Sequence, residues 1–126
     1  MDKKEEINAI NIQLIVIIIS VASAIISVLL TYNQKLDLEN KDTLLNPKNS
    51  LKLTYFNRIL IVIISLVFLY INYKLYKISK NENENLESYI YQIIASLLTV
   101  IASVIALYVV TLSNKQDVAD VENPII

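Results

Sequence analysis

The sequence predicts an all-α integral membrane protein with three transmembrane helices, the first and third packed on each other through small-residue faces. Three observations lead there. The apolar residues, 55% of a 126-residue chain, are gathered into three blocks instead of being spread evenly. Each block reaches the roughly 20 residues that a helix rising about 1.5 Å per residue needs to cross the hydrocarbon core. Each block is also uncharged over its central part, from Leu14 to Leu30, from Ile59 to Tyr73 and from Ile90 to Leu112. A charge at mid-bilayer costs about 2.5 kcal/mol or more, so clean runs are what lipid demands. A soluble three-helix bundle would instead need a polar outer face on every helix, and these segments are apolar almost all round.

Residues 1–9, MDKKEEINA, read as a short polar tail, and 10–32 as the first transmembrane helix. Lys3 and Lys4 ahead of an apolar run, with Ala22-Ser23-Ala24 inside it, have the form of a cleavable signal segment. The run continues through IISVLL, however, and Asp2, Glu5 and Glu6 break the basic start, so the segment is expected to stay as a membrane helix. Residues 33–54 form the first connection. Its first half has no helix breaker and is expected to prolong the helix until Asn46-Pro47, with Asn49 or Ser50 capping the next one.

The second transmembrane helix covers 55–77, a short connection 78–88, the third helix 89–112 and a polar acidic tail 113–126. Lys74, Lys77 and Lys80 fall near the end of one helix, and Glu82, Glu84 and Glu87 near the start of the next. Both groups complement the helix dipole beside them. A second role for the lysines is a basic patch for anionic lipid headgroups. Tyr32 and Tyr55 lie toward one membrane boundary, and Tyr70, Tyr73, Tyr76, Tyr89 and Tyr91 toward the other, as expected of an aromatic belt. Arg58, Lys74 and Lys77 join them as interface anchors.

Orientation is nearly balanced. Five lysines flank the side holding the N-terminus, and five lysines and Arg58 flank the other. The compact lysine trio and the acidic tail opposite it tip the expectation to a cytoplasmic N-terminus in a multi-pass cell-membrane protein.

The most informative pattern links the first and third helices at a constant offset of 79 residues. Gln13 matches Gln92, Ser20 matches Thr99, Ser23 matches Ala102, Ala24 matches Ser103 and Ser27 matches Ala106. Ala95 and Ser96 extend the third-helix face backward. Small residues at i, i+3, i+4 and i+7 share one helix face. Helices in lipid associate by close packing, which small residues permit, so the two parallel helices are expected to meet there, within or between subunits. The second helix, with Ser65 as its one small residue among bulky aliphatics, is expected to lie outside. A sharper alternative is a pore lined by Ser20, Ser23, Ser27, Ser96, Thr99 and Ser103, with Gln13 and Gln92 at its mouth.

The chain has no Cys and no His, so zinc, copper and haem lose their usual ligands and no cofactor is expected. No histidine, cysteine or membrane-buried carboxylate is present to act as base, nucleophile or metal ligand, and a serine without a base is inert, which argues against an enzyme. The absence of Gly beside abundant Ile, Asn and Lys suggests an AT-rich genome such as that of a low-GC bacterium. The expected partners are the lipid bilayer and either further copies or a larger membrane complex, with no nucleic acid. The size, the three helices and the hydroxyl stripe resemble the general plan of three-helix holins, which implies a pore former. Those usually end in a basic tail, whereas this chain ends QDVADVENPII. A transporter subunit ranks behind both, for want of an intramembrane charge or a broken helix.

Overall fold

The structure, a computed structural model, describes residues 3–82 and 85–112. The acidic tail expected over 113–126 and Glu84 lie outside the described residues. The described chain is all-helical: α1 spans Lys3–Leu38, α2 Pro47–Asn81 and α3 Glu87–Leu112. All three are long and apolar enough to cross a membrane. With 36, 35 and 26 residues they exceed the requirement. At about 1.5 Å per residue, α1 and α2 each run to roughly 50 Å, against about 30 Å of hydrocarbon.

The helix ends follow local chemistry that differs from expectation. Most of the polar segment expected as a tail is already helical from Lys3. At the other end, α1 stops at Leu38, well before Asn46-Pro47. Asn40 adopts a left-handed φ of 57°. Its N–H donates to the Asp37 carbonyl at 3.1 Å, and the Lys41 N–H donates to the Leu36 carbonyl at 2.9 Å. This is a Schellman stop with asparagine where glycine is commonest, since a short amide side chain tolerates that region. The connection is then pinned by Asn33, which is buried. Its Oδ1 accepts the Leu45 N–H at 2.9 Å, and its Nδ2 donates to the Leu45 carbonyl at 3.4 Å. The cap of α2 is Asn46, not Asn49 or Ser50: its Oδ1 accepts the Asn49 N–H at 2.7 Å, with Pro47 at the first helical position. Proline suits that position because the N–H it lacks would be unpaired there anyway.

Within the chain the packing order differs from a direct meeting of the first and third helices. Helices α1 and α3 do not form a joint face within the chain: both pack against α2, which stands between them. The helix read as the outer one is the centre. Its interior rows explain why. Asn57, Ile64, Ile71 and Ile78 recur every seventh residue, and so do Arg58, Ser65, Asn72 and Ser79 beside them; all are buried or half-buried. Sequence size alone pointed to Ser65 and passed over the asparagines, whose amides bond across to both neighbours.

The flanking helices answer with the same spacing. In α1, Ala9, Val16, Ser23 and Leu30 are buried, with Gln13, Ser20, Ser27 and Gln34 half-buried between them. In α3, Ser96, Ser103 and Val110 are buried, with Ile93, Val100 and Leu107 half-buried between them. Alternating steps of three and four make the heptad seam of left-handed helix packing.

Candidate functional site: the polar seams of the central helix

Two sets of hydrogen bonds cross from α2. Toward α1, the Asn57 amide uses both ends. Ser23 Oγ donates to its Oδ1 at 2.7 Å, and its Nδ2 donates to Ser27 Oγ at 2.9 Å. Toward α3, Ser65 Oγ lies 3.1 Å from Ser103 Oγ, and one heptad on, Asn72 Nδ2 donates to Ser96 Oγ. Ser65 and Asn72 are seven apart, as are Ser96 and Ser103, so one antiparallel register holds along the seam.

Proton counting sharpens the Ser65–Ser103 contact. Each hydroxyl also reaches its own backbone, Ser65 to the Val62 carbonyl and Ser103 to the Val100 carbonyl, both at 2.8 Å. A hydroxyl has one proton. At any moment one serine therefore donates across while the other donates back to its own helix. Ser96 avoids this competition: it donates to the Gln92 carbonyl at 2.8 Å and accepts from Asn72. Among the described residues, no buried side-chain nitrogen or oxygen lacks a hydrogen-bond partner.

The proposed small-residue face divides. In α1, Ser23 is buried, Gln13, Ser20 and Ser27 are half-buried on the seam, and Ala24 is exposed. The Ser20 hydroxyl bonds only its own helix, at the Val16 carbonyl, 2.8 Å away. In α3, Ser96, Ser103 and Ala106 are buried, while Gln92, Ala95, Thr99 and Ala102 are exposed. The buried heptads of α1 and α3 thus align one residue away from the sequence match, a rotation of about 100° on the helix. Ser23 corresponds in role to Ser103, not to Ala102. Small residues occupy two adjacent rows of α3, and the row that bonds Ser65 and Asn72 is the one buried.

The other row borders an open groove between α2 and α3. One part, about 380 Å³, is lined by Arg58, Ile61, Leu98, Thr99, Ala102, Ser103 and Ala106. A neighbouring part, about 370 Å³, shares Ile61 and Thr99 and includes Phe68, Asn72, Gln92 and Ala95. Thr99 faces the groove with its hydroxyl bonded to the Ala95 carbonyl at 2.9 Å. Arg58 is 3% exposed, the one buried cation among the described residues, beside the equally buried Thr54 and Asn57. The sequence places it as a boundary anchor; in the structure it is buried.

The other anchors sit as follows. Tyr32 is exposed near the end of α1, and Tyr55 is half-buried early in α2. Late in α2, Tyr70 and Tyr73 are exposed and Tyr76 half-buried; early in α3, Tyr89 is half-buried and Tyr91 exposed. Lys74 is half-buried and Lys77 exposed. Tyr108, late in α3, adds an exposed ring that the belt had omitted. Asn57 and Asn72 are the seam residues that small-residue reasoning missed. For Asn72 the polar heptad Arg58, Ser65, Asn72, Ser79 is the available signal, since in a helix that meets lipid on its other sides such a row needs partners; Asn57 lies in the adjacent, otherwise apolar row and has no such signal.

A comparison of the chain with protein-family models, with curated proteins and with solved structures returned no match.

Proposed function

We propose that this chain is a small multi-pass membrane protein without catalytic activity, acting through helix–helix association as an oligomer or as an accessory subunit of a larger membrane complex. The observation that carries the reading is an inverted distribution of polarity. Ile18 and Val28 are 69% exposed, while Asn57 and Arg58 are 2% and 3% exposed. Exposed Ile, Leu and Val continue along all three helices. Soluble monomers rarely expose contiguous apolar patches beyond a few hundred Å². Lipid removes that cost, and interior amides and hydroxyls that satisfy one another are what a bilayer requires. The lysines at 74, 77 and 80 support a cytoplasmic N-terminus in the cell membrane.

Association is supported by the exposed row Ala95, Thr99 and Ala102, where a further helix can approach closely. Two differently tagged copies expressed together are expected to co-purify from membranes. Ala102→Leu should weaken that capture about fivefold or more while leaving the helical content unchanged. Capture that is absent, or indifferent to Ala102→Leu, counts against self-association through this row.

Thr99 and Gln92, polar and exposed on the groove, favour one alternative, an assembly of copies around a hydroxyl-lined lumen. Depolarisation and dye entry on induced expression would support that alternative. Cells that stay polarised and impermeable at high expression would remove it.

A further inference from the structure

Where the first turns of α1 run beside the last turns of α2, a cleft of about 350 Å³ opens, lined by Glu5, Tyr70, Tyr73, Lys74, Lys77 and Asn81. Its floor is Ile78, which is buried. The charged groups in it are positioned but not neutralised. Lys74 Nζ lies 5.9 Å from the centre of the Tyr70 ring, and Lys77 Nζ lies 5.6 Å from that of Tyr73. Each ring is one turn earlier on the same helix, so each lysine stem is held along a ring. Among the described residues, neither lysine has a carboxylate within ion-pairing distance, Glu5 included. The cleft therefore presents two cations, one anion, and the Asn81 side-chain amide.

We propose that this cleft binds the headgroup of a phospholipid that carries both a phosphate and a primary ammonium, of the phosphoethanolamine type. The phosphodiester lies on Lys74 and Lys77, and the ammonium on Glu5. The inference rests on the membrane reading above. The cleft begins where the uncharged run Ile59–Tyr73 of α2 ends, the depth at which headgroups meet a spanning helix, and Tyr70 and Tyr73 are rings suited to that level. Charge pattern selects the class. A headgroup with only negative charge would set its phosphate against Glu5 as well as toward the lysines. A quaternary ammonium has no N–H to donate to a carboxylate, so choline fits less well.

The test uses the full chain in detergent, delipidated and titrated with phosphatidylethanolamine, phosphatidylglycerol or phosphatidylcholine, with retained lipid read by native mass spectrometry. Soluble glycerophosphoethanolamine is added as competitor. Phosphatidylethanolamine should be retained about fivefold or more above the other two lipids, and Lys74→Gln/Lys77→Gln should lower its retention about tenfold. Glu5→Gln should shift the preference to phosphatidylglycerol. Lys48→Gln/Lys52→Gln, which removes two exposed lysines elsewhere on α2, should change nothing. Equal retention of all three lipids, or a preference unmoved by Glu5→Gln, overturns the proposal and leaves the lysines as dipole partners of the α2 end. Competition by the soluble headgroup at the lipid's own concentration overturns the lipid as ligand. A carbonate wash of the source membranes separates this from the membrane reading: a chain that washes off removes that reading, whatever the lipid result.

Discussion

Asn57→Leu is expected to destabilise the chain by about 2–3 kcal/mol, the largest loss from any single seam substitution. Asn57 is 2% exposed and joins Ser23 and Ser27 through both ends of its amide. Bonds of this kind between membrane helices average about 0.6 kcal/mol, with a maximum near 1.7. Leucine removes both at once. It also sets a branched chain against a site shaped for a planar amide, and strain of that origin typically costs 1–3 kcal/mol by order of magnitude, about half of which we assign here. Unfolding in graded mixed micelles, followed by helical circular dichroism, measures the difference. Ser20→Ala is the control within the same seam. Its hydroxyl bonds only its own backbone, so the change should be under about 0.5 kcal/mol.

Ser103→Leu is expected to cost about 2 kcal/mol, by separating α3 from α2. Ser103 is 6% exposed and meets Ser65 at 3.1 Å, so leucine there loses that contact and crowds the α2 surface opposite it. Ala102→Leu, one residue earlier and exposed, should leave the stability of the single chain within about 0.5 kcal/mol. The contrast between adjacent positions reads the rotation of α3 directly. If Ala102→Leu were the damaging substitution and Ser103→Leu the harmless one, the face inferred from the sequence match would be the buried one. Thr99→Leu bears on function: in a lumen-forming assembly it should lower conductance with assembly retained, whereas at a packing row between copies it weakens association first.

The number of helices and the position of their apolar spans were legible in the sequence, because lipid-compatible runs of this length have few other solutions. The identity of the central helix was not. Small residues mark a packing face in lipid, and the apolar span of α2 has only Ser65. Its claim to the centre rests on Asn57 and Asn72: Asn72 looks like an interruption of an apolar run until its heptad spacing with Ser65 is noticed, and Asn57 heads the neighbouring row of Ile64, Ile71 and Ile78. Nor was the rotation of α3 legible. Ala95, Thr99 and Ala102 are as small as Ser96 and Ser103, and only the partner groups on α2 distinguish the rows. The stop at Leu38 escaped for a different reason. Asn40 supplies the left-handed residue that glycine usually provides, and a chain without glycine conceals such stops.

The arrangement of three apolar helices with the polar one at the centre is tested most directly by cysteine cross-linking in native membranes, since the chain has no cysteine of its own. Ser65→Cys with Ser103→Cys, and Ser23→Cys with Asn57→Cys, are expected to form intramolecular disulfides on mild oxidation. Ser20→Cys with Thr99→Cys, a pair matched in sequence on α1 and α3, is expected to form none within one chain. An intramolecular Ser20–Thr99 cross-link, with the two α2 pairs silent, would contradict the arrangement and restore α1 and α3 as direct neighbours.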